Sequence, residues 1–313
     1  MEIPALAISS KRSFFFKLSR QRQILFMSFP IILYIILFVY VPLWGWTMAF
    51  QNFKPAKSFS KQEWAGLYWF KFLFEDKVFL RTIRNTIAMS VINTSLGFIT
   101  AIGFALLLNE VRKILFKRVI QTISYLPHFL SWVIVTGLVS SMLTTDGGAV
   151  NSVFVALGII KEPILWLAEP KYFWGVIGVT YVWKEVGWNT IIYLAAIAGI
   201  DPNLYEAAEI DGCNRYQKMW RITLPCIKPT IIILLIMSIG QILEAGFELQ
   251  WLMRKPLVMD VSDTIDVYVY VFGLSHLNFS LATAAGMFKN FVNISLIFIA
   301  NWIAKKAGEE RLI

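Results

Sequence analysis

Charged residues are scarce in this chain: of 313 residues 16% are charged and 57% hydrophobic, and the mean hydropathy is +0.62. Soluble domains carry about 25% charged residues, so the composition excludes a water-soluble globular protein and places the chain in a membrane. Cysteine and histidine are nearly absent. Cys213 and Cys226 lie thirteen residues apart, with no C-x-x-C spacing and no clustered histidines, which excludes a disulfide framework and a zinc site. No G-x-x-x-x-G-K-[ST] run occurs, so the chain lacks the loop and lysine that cradle nucleotide phosphates. H-E-x-x-H, G-x-S-x-G and any Ser/His/Asp set at matching depth are also missing, which argues against a membrane-embedded enzyme. Without an internal repeat or a low-complexity tract, solenoid and linker-rich architectures are set aside.

Apolar runs, by contrast, are abundant. A hydrocarbon core about 30 Å thick needs roughly 20 apolar helical residues per crossing. Six runs qualify, at residues 26–47, 86–108, 119–143, 173–198, 229–250 and 281–304, and the predicted fold is an all-α membrane protein with six transmembrane helices. Twelve tryptophans within an aromatic content of 15% suit interfacial belts. Basic residues gather before the first run (Lys11, Arg12, Lys17, Arg20, Arg22) and in the second connection (Arg112, Lys113, Lys117, Arg118). They gather again in the fourth (Arg215, Lys218, Arg221, Lys228) and in the tail (Lys305, Lys306, Arg311). By the positive-inside rule these segments face the cytoplasm, with both termini, and the protein is a multi-pass component of the cytoplasmic (inner) membrane. The net charge of +9 is thereby assigned to lipid headgroups and topology and not to nucleic acid.

The first connection departs from the rule, with Lys54, Lys57, Lys61, Lys71, Lys77, Arg81 and Arg84 against Glu63, Glu75 and Asp76. Its aromatic richness (Trp64, Tyr68, Trp69, Phe70, Phe72, Phe74) predicts a short interfacial helix. Residues 23–53 carry no charge, run longer than a signal h-region and precede no A-x-A-like site, so the first run reads as an uncleaved anchor. The chain divides into a basic tail (1–25), the first transmembrane helix with its interfacial segment (26–80), a core (81–304) containing the polar loop 201–225, and a C-terminal tail (305–313).

That polar loop carries the most specific signal. Asp201-Pro202 starts a helix, because the aspartate accepts an orphan N–H and proline at the first position loses no hydrogen bond. Gly212 ends it by tolerating the left-handed conformation. A second amphipathic stretch runs from Asn214 through Tyr216, Met219 and Trp220, and Pro225 breaks it. The spacing predicts a helix over 202–211 and a helical hairpin at the membrane surface, which alone could be an ordinary interfacial element. Glu206, Ala207, Ala208, Gly212, Ile222, Leu224 and Pro225 stand at E-A-A-x3-G-x9-I-x-L-P. This resembles the cytoplasmic signature loop of permease subunits in binding-protein-dependent ABC importers. ALLLNEVRKILFKRVIQTISYLPHFLSWVIV (105–135), WKEVGWNTIIYLAAIAGIDPNLYEAAEIDG (183–212) and VSDTIDVYVYVFGL (261–274) extend the likeness from about residue 22 onward, toward sugar permeases of oligosaccharide and polysaccharide-fragment importers, alginate importers among them.

The resemblance implies a type I ABC importer permease fold. It also implies a heterodimer with a second permease, a cytoplasmic ATPase dimer holding ATP and Mg, an extracytoplasmic solute-binding protein and a glycan substrate. On it, Glu206 is the charged contact with the ATPase, Ala207 and Ala208 permit close approach, and Gly212 supplies the bend.

Ionisable groups at bilayer depth usually face a bundle interior or a wet cavity. Lys184 and Glu185 interrupt the fourth run beside Tyr181, Trp183, Trp188 and Asn189. Gln241, Glu244 and Glu248 are spaced for one helical face of the fifth, and Lys289, Asn290 and Asn293 break the sixth. These residues are expected to converge on a translocation cavity, where aromatic faces and directional polar groups suit a sugar. The alternative is that Lys184, Lys289, Glu244 and Glu248 pair with one another to hold the bundle. His128 and His276 read as packed or surface residues. Asp146-Gly147-Gly148 forms a turn that, with residues 251–280, offers a docking surface to a solute-binding protein. A secondary transporter is the competing function class, since midplane charges and broken helices mark it too.

Overall fold

The computed structural model describes residues 21–306 and 308, so most of the basic N-terminal tail and Arg311 lie outside the described residues. Helix α1 (Arg22–Phe50) is followed by a short antiparallel pair, β1 (Gln51–Asn52) and β2 (Glu63–Trp64), in which Gln51 faces Trp64. The predicted interfacial helix is α2 (Tyr68–Glu75). Asp76 then caps α3 (Lys77–Asn109), accepting from Val78 N at 2.8 Å. Next come α4 (Ile114–Tyr125), α5 (Trp132–Met142), α6 (Ala149–Ala156) and α7 (Pro170–Ala198). The polar loop forms α8 (Pro202–Ile210), which leads into α9 (Arg215–Ile239). The chain ends with α10 (Phe247–Met253), α11 (Met259–Ser262), α12 (Ile265–Ser275) and α13 (Phe279–Lys306).

Among the described residues four helices, α1, α3, α9 and α13, are each long and apolar enough to cross a bilayer, and α4 with α5 meets the same length and composition only as a pair bent by 103°. Helix α7 has 29 residues, about 43 Å at 1.5 Å per residue, but Lys171, Lys184 and Glu185 dilute its apolar character. Two expected spans need correction. Residues 119–143 are not one helix: the turn at Leu126–Phe129, with Pro127 inside it, ends α4, and Ser131 caps α5 through Ile134 N. The run 229–250 is not one helix either. Helix α9 stops at Ile239, and residues 240–246 are irregular, with Gly246 at φ +85°. Gln241, Glu244 and Glu248 therefore do not share a helical face, because the expected periodicity holds only for an unbroken helix.

Close approach of backbones sets the centre of the bundle. Gly97, Ala101 and Ala105 on α3 face α7, and a Cβ at Gly178 of α7 would sit 2.8 Å from Ile92 Cγ2. A Cβ at Gly187 would lie 2.1 Å from the Ser124 carbonyl oxygen of α4. At one end of this seam Ala101, Ala105, Tyr193, Ile197 and Ile227 form a core with Met219 and Leu224 packed on it, joining α3 and α7 to α9. Toward the other end Met89, Phe173 and Ile177 pack with Leu249, Met253 and Val258. Buried Asn85 fastens this loop layer, donating to the carbonyls of Asp260 (3.1 Å) and Asp263 (2.9 Å), while Thr86 Oγ1 accepts from Ile265 N at 2.9 Å.

Replacing Gly187 by alanine should force α4 away from α7 and lower stability by about 1–3 kcal/mol. Thermal unfolding of the detergent-solubilised complex measures it, and Gly103→Ala, where a Cβ meets nothing within 4 Å, is the control.

Candidate functional site

The hairpin is built by local bonds. Asp201 accepts from Asn203 N at 3.0 Å with Pro202 at the first helical position, so α8 starts where the sequence predicts. It ends in a Schellman closure: Cys213 N donates to Ala208 O (2.8 Å), Gly212 N donates to Glu209 O (3.0 Å), and Gly212 takes φ +78°. Asn214 and Gln217 then form a capping box that starts α9. Lys218 bonds Glu209 across the hairpin, and its ammonium holds the Glu209 carboxyl below the usual glutamate range. That contribution is present above the unfolded-state pKa and is lost as pH falls through the lowered folded one.

Helix α8 has two faces. Tyr205 and Ala208 turn toward the body of the protein, and Ala208 is buried. Glu206, Ala207 and Ile210 point away, with Ile210 87% exposed. Of the motif residues, Glu206, Ala207, Gly212 and Pro225 are thus exposed, while Ile222 and Leu224 are half-buried at the root of α9.

Further along α3, two adjoining cavities of about 150 and 160 Å³ lie between α3, α7, the end of α9 and the irregular 240–246 segment. They share Asn93, Thr94, Tyr181 and Ser238. The structure brings four expected residues here: Tyr181 lines both cavities, Asn189 one, and Gln241 and Glu244 the other. Sequence reasoning missed Ser90, Asn93, Thr94 and Ser238. The signal was present, since Ser90, Asn93, Thr94 and Gly97 follow i, i+3, i+4, i+7 within an apolar run. Asn93 Oδ1 and Ser90 Oγ are buried without a hydrogen-bond partner among the described residues, which is costly unless something polar enters the cavity.

The remaining candidates lie elsewhere. Lys184 is 5% exposed, its Nζ 2.6 Å from the His128 carbonyl oxygen and 3.2 Å from Glu185. Glu185 contacts His128 Nδ1 at 2.7 Å, and Trp188 stacks on the His128 ring at 4.3 Å. These four residues clasp the α4–α5 bend to α7, so Lys184 is committed to structure. Trp183 lines a separate apolar hollow of about 510 Å³ with residues of α5 and α6. Lys289 bonds Asp266 at 2.6 Å and lies 3.9 Å from Glu244, while Glu248 is exposed in the first turn of α10. Asn293 accepts from Leu243 N at 3.3 Å, and Asn290 lines an open groove between α1, α12 and α13.

A bent-helix bundle with a polar internal cavity and a capped amphipathic hairpin at one end defines a membrane permease subunit. Residues 93–309 match the family described as binding-protein-dependent transport system inner membrane component, and the chain belongs to that family. It is a multi-pass transport subunit of the inner membrane, not an enzyme. It is 45% identical, over 94% of its length and 91% of the relative's, to the polygalacturonan/rhamnogalacturonan transport system permease protein YteP of Bacillus subtilis (strain 168). It also superimposes on a chain of a bacterial ABC transporter that imports the acidic polysaccharide alginate, with a TM-score of 0.87 and 38% identity over 94% of this chain and 99% of that one. A bacterial alginate transporter in complex with its alginate pentasaccharide-bound periplasmic protein matches with a TM-score of 0.85 and 37% identity over 93% and 96%.

Alanine at Asn93, Asn189 or Gln241 should each cut uptake about three- to tenfold without loss of assembled complex, each removing about one hydrogen-bonding group. Lys184→Ala should instead reduce the yield of assembled protein. Uptake assays beside size-exclusion profiles separate the two effects.

Proposed function

We propose that this chain is one of two related permeases in an ATP-driven importer of oligosaccharides released from an acidic polysaccharide. The names of its relatives support the saccharide class, since two of the proteins it resembles handle polygalacturonan/rhamnogalacturonan and alginate. The cavity chemistry agrees. Amides and hydroxyls from Asn93, Thr94, Asn189, Gln241 and Ser238 can serve sugar hydroxyls, and the Tyr181 ring can serve a C–H face.

The observation that carries the energetic part of this reading is the free face of α8. Glu206, Ala207 and Ile210 are left exposed by the described residues, and an exposed apolar residue beside a carboxylate suits a protein groove. A cytoplasmic ATPase pair holding ATP and Mg docks there, which places the hairpin and both termini in the cytoplasm. The solute-binding protein then delivers cargo at the opposite face, to residues 146–148 and 251–280. Each cavity is smaller than the roughly 300–1,000 Å³ of an ordinary ligand site. Passage therefore requires α9 and the 240–246 segment to move away from α3 and α7, the motion of alternating access. ATP binding would open the path outward and hydrolysis would reset it inward.

Proteoliposomes carrying the complete complex test this. Uptake should require ATP on the ATPase side and the external binding protein, and Glu206→Arg should reduce it at least tenfold by reversing the charge on the docking face. Accumulation driven by a proton or sodium gradient alone would instead identify a secondary transporter.

A further inference from the structure

We infer that the hydroxyl pair Tyr205–Thr223 is the positioning contact through which displacement of α8 enters α9 and so reaches the cavity. The inference rests on the proposed docking of an ATPase on α8. Tyr205 Oη lies 2.9 Å from Thr223 Oγ1, and Thr223 is 1% exposed. Thr223 closes a π turn, Met219–Thr223, near the start of α9, and its hydroxyl also lies 3.4 Å from the Lys218 carbonyl oxygen. Inserted π turns recur at functional positions in helices. Here the turn sits where the hairpin meets the membrane body.

The contact lies on the buried face of α8, opposite Glu206, Ala207 and Ile210, so a load applied to the free face presses directly on it. A second link, Lys218–Glu209, lies at the surface with the glutamate side chain 68% exposed, where screening and side-chain freedom leave little net strength. Beyond Thr223, α9 is helical to Ile239. Ser238, about 22 Å from Thr223 at 1.5 Å per residue, walls both cavities, and Leu234 walls one. One helix thus joins the hydroxyl pair to the translocation path.

Tyr205→Phe and Thr223→Val each remove the bond while keeping ring or branch volume, and Thr223→Ser keeps the hydroxyl. The full complex of permease pair, ATPase and binding protein is reconstituted, and ATP hydrolysis and uptake are measured on the same vesicles. The ATPase should co-purify in normal amount with all three variants. Uptake per ATP hydrolysed should fall about fivefold or more for Tyr205→Phe and Thr223→Val and stay within about twofold of wild type for Thr223→Ser, the scale expected for loss of one buried hydrogen bond. An unchanged ratio in both hydroxyl-deleting variants, or a parallel fall in hydrolysis and uptake, overturns the inference. Failure of the ATPase to co-purify with the wild-type chain would overturn the docking proposal instead, so the two failures are distinguishable.

Discussion

A backbone N–H or C=O shut away from water must find its partner within the protein, in lipid or beneath a loop layer, and each place where this chain leaves the helix has to solve that problem. The solutions are specific. At the α4–α5 bend, Lys184 donates to the freed carbonyl of His128, and Ser131 accepts from Ile134 N. At the 240–246 break, Asn293 accepts from Leu243 N. Where the loop layer returns over α3, Asn85 supplies both amide protons to carbonyls of Asp260 and Asp263. In the α5–α7 connection, buried Asn151 bonds Leu143, Thr144 and Ile164 backbone groups and the Trp166 indole.

This constraint explains what the sequence disclosed and what it concealed. The hairpin was legible almost residue by residue, because caps act locally: Asp201, Pro202, Gly212 and Asn214 fix their turns without help from distant chain. The helical class was legible too, from run length and the scarcity of charge. The breaks within the third and fifth runs were not, since apolar composition continues through them. Pro127 and the pair Gly240 and Gly246 were the local warnings. A polar side chain at depth was equally ambiguous. Lys184 and Asn293 read as lining, yet both support irregular backbone, whereas Ser90, Asn93 and Thr94, passed over within an apolar run, face the cavity. Sequence alone does not separate these roles, because the partner that decides each one lies 50 or more residues away.

The surplus of positive charge in the first connection is also partly resolved by distant partners. Arg81 pairs with Asp260, Arg84 bonds the Asp260 carbonyl and Asn85, and Lys57 pairs with Glu63. Three of the seven basic side chains are thus engaged in holding loops together. A count of charges along the chain treats them all as topological signals, and here part of that count is structural. The β1–β2 pair is tied in the same way, with Ser280 accepting from Phe53 N and donating to Gln51 O.

The glycine contacts of α7 have a mechanical corollary. With Gly178 against Ile92 and Gly187 against the α4 backbone, helices α3, α4 and α7 are interlocked at these two points. Helix α9 packs on α13 through Ile236 against Ala300 and Ala304, and just past its end Gly240 lies so near Ile297 that a methyl group would not fit. A packed seam that ends at a stretch of unwound chain is the geometry of a hinge.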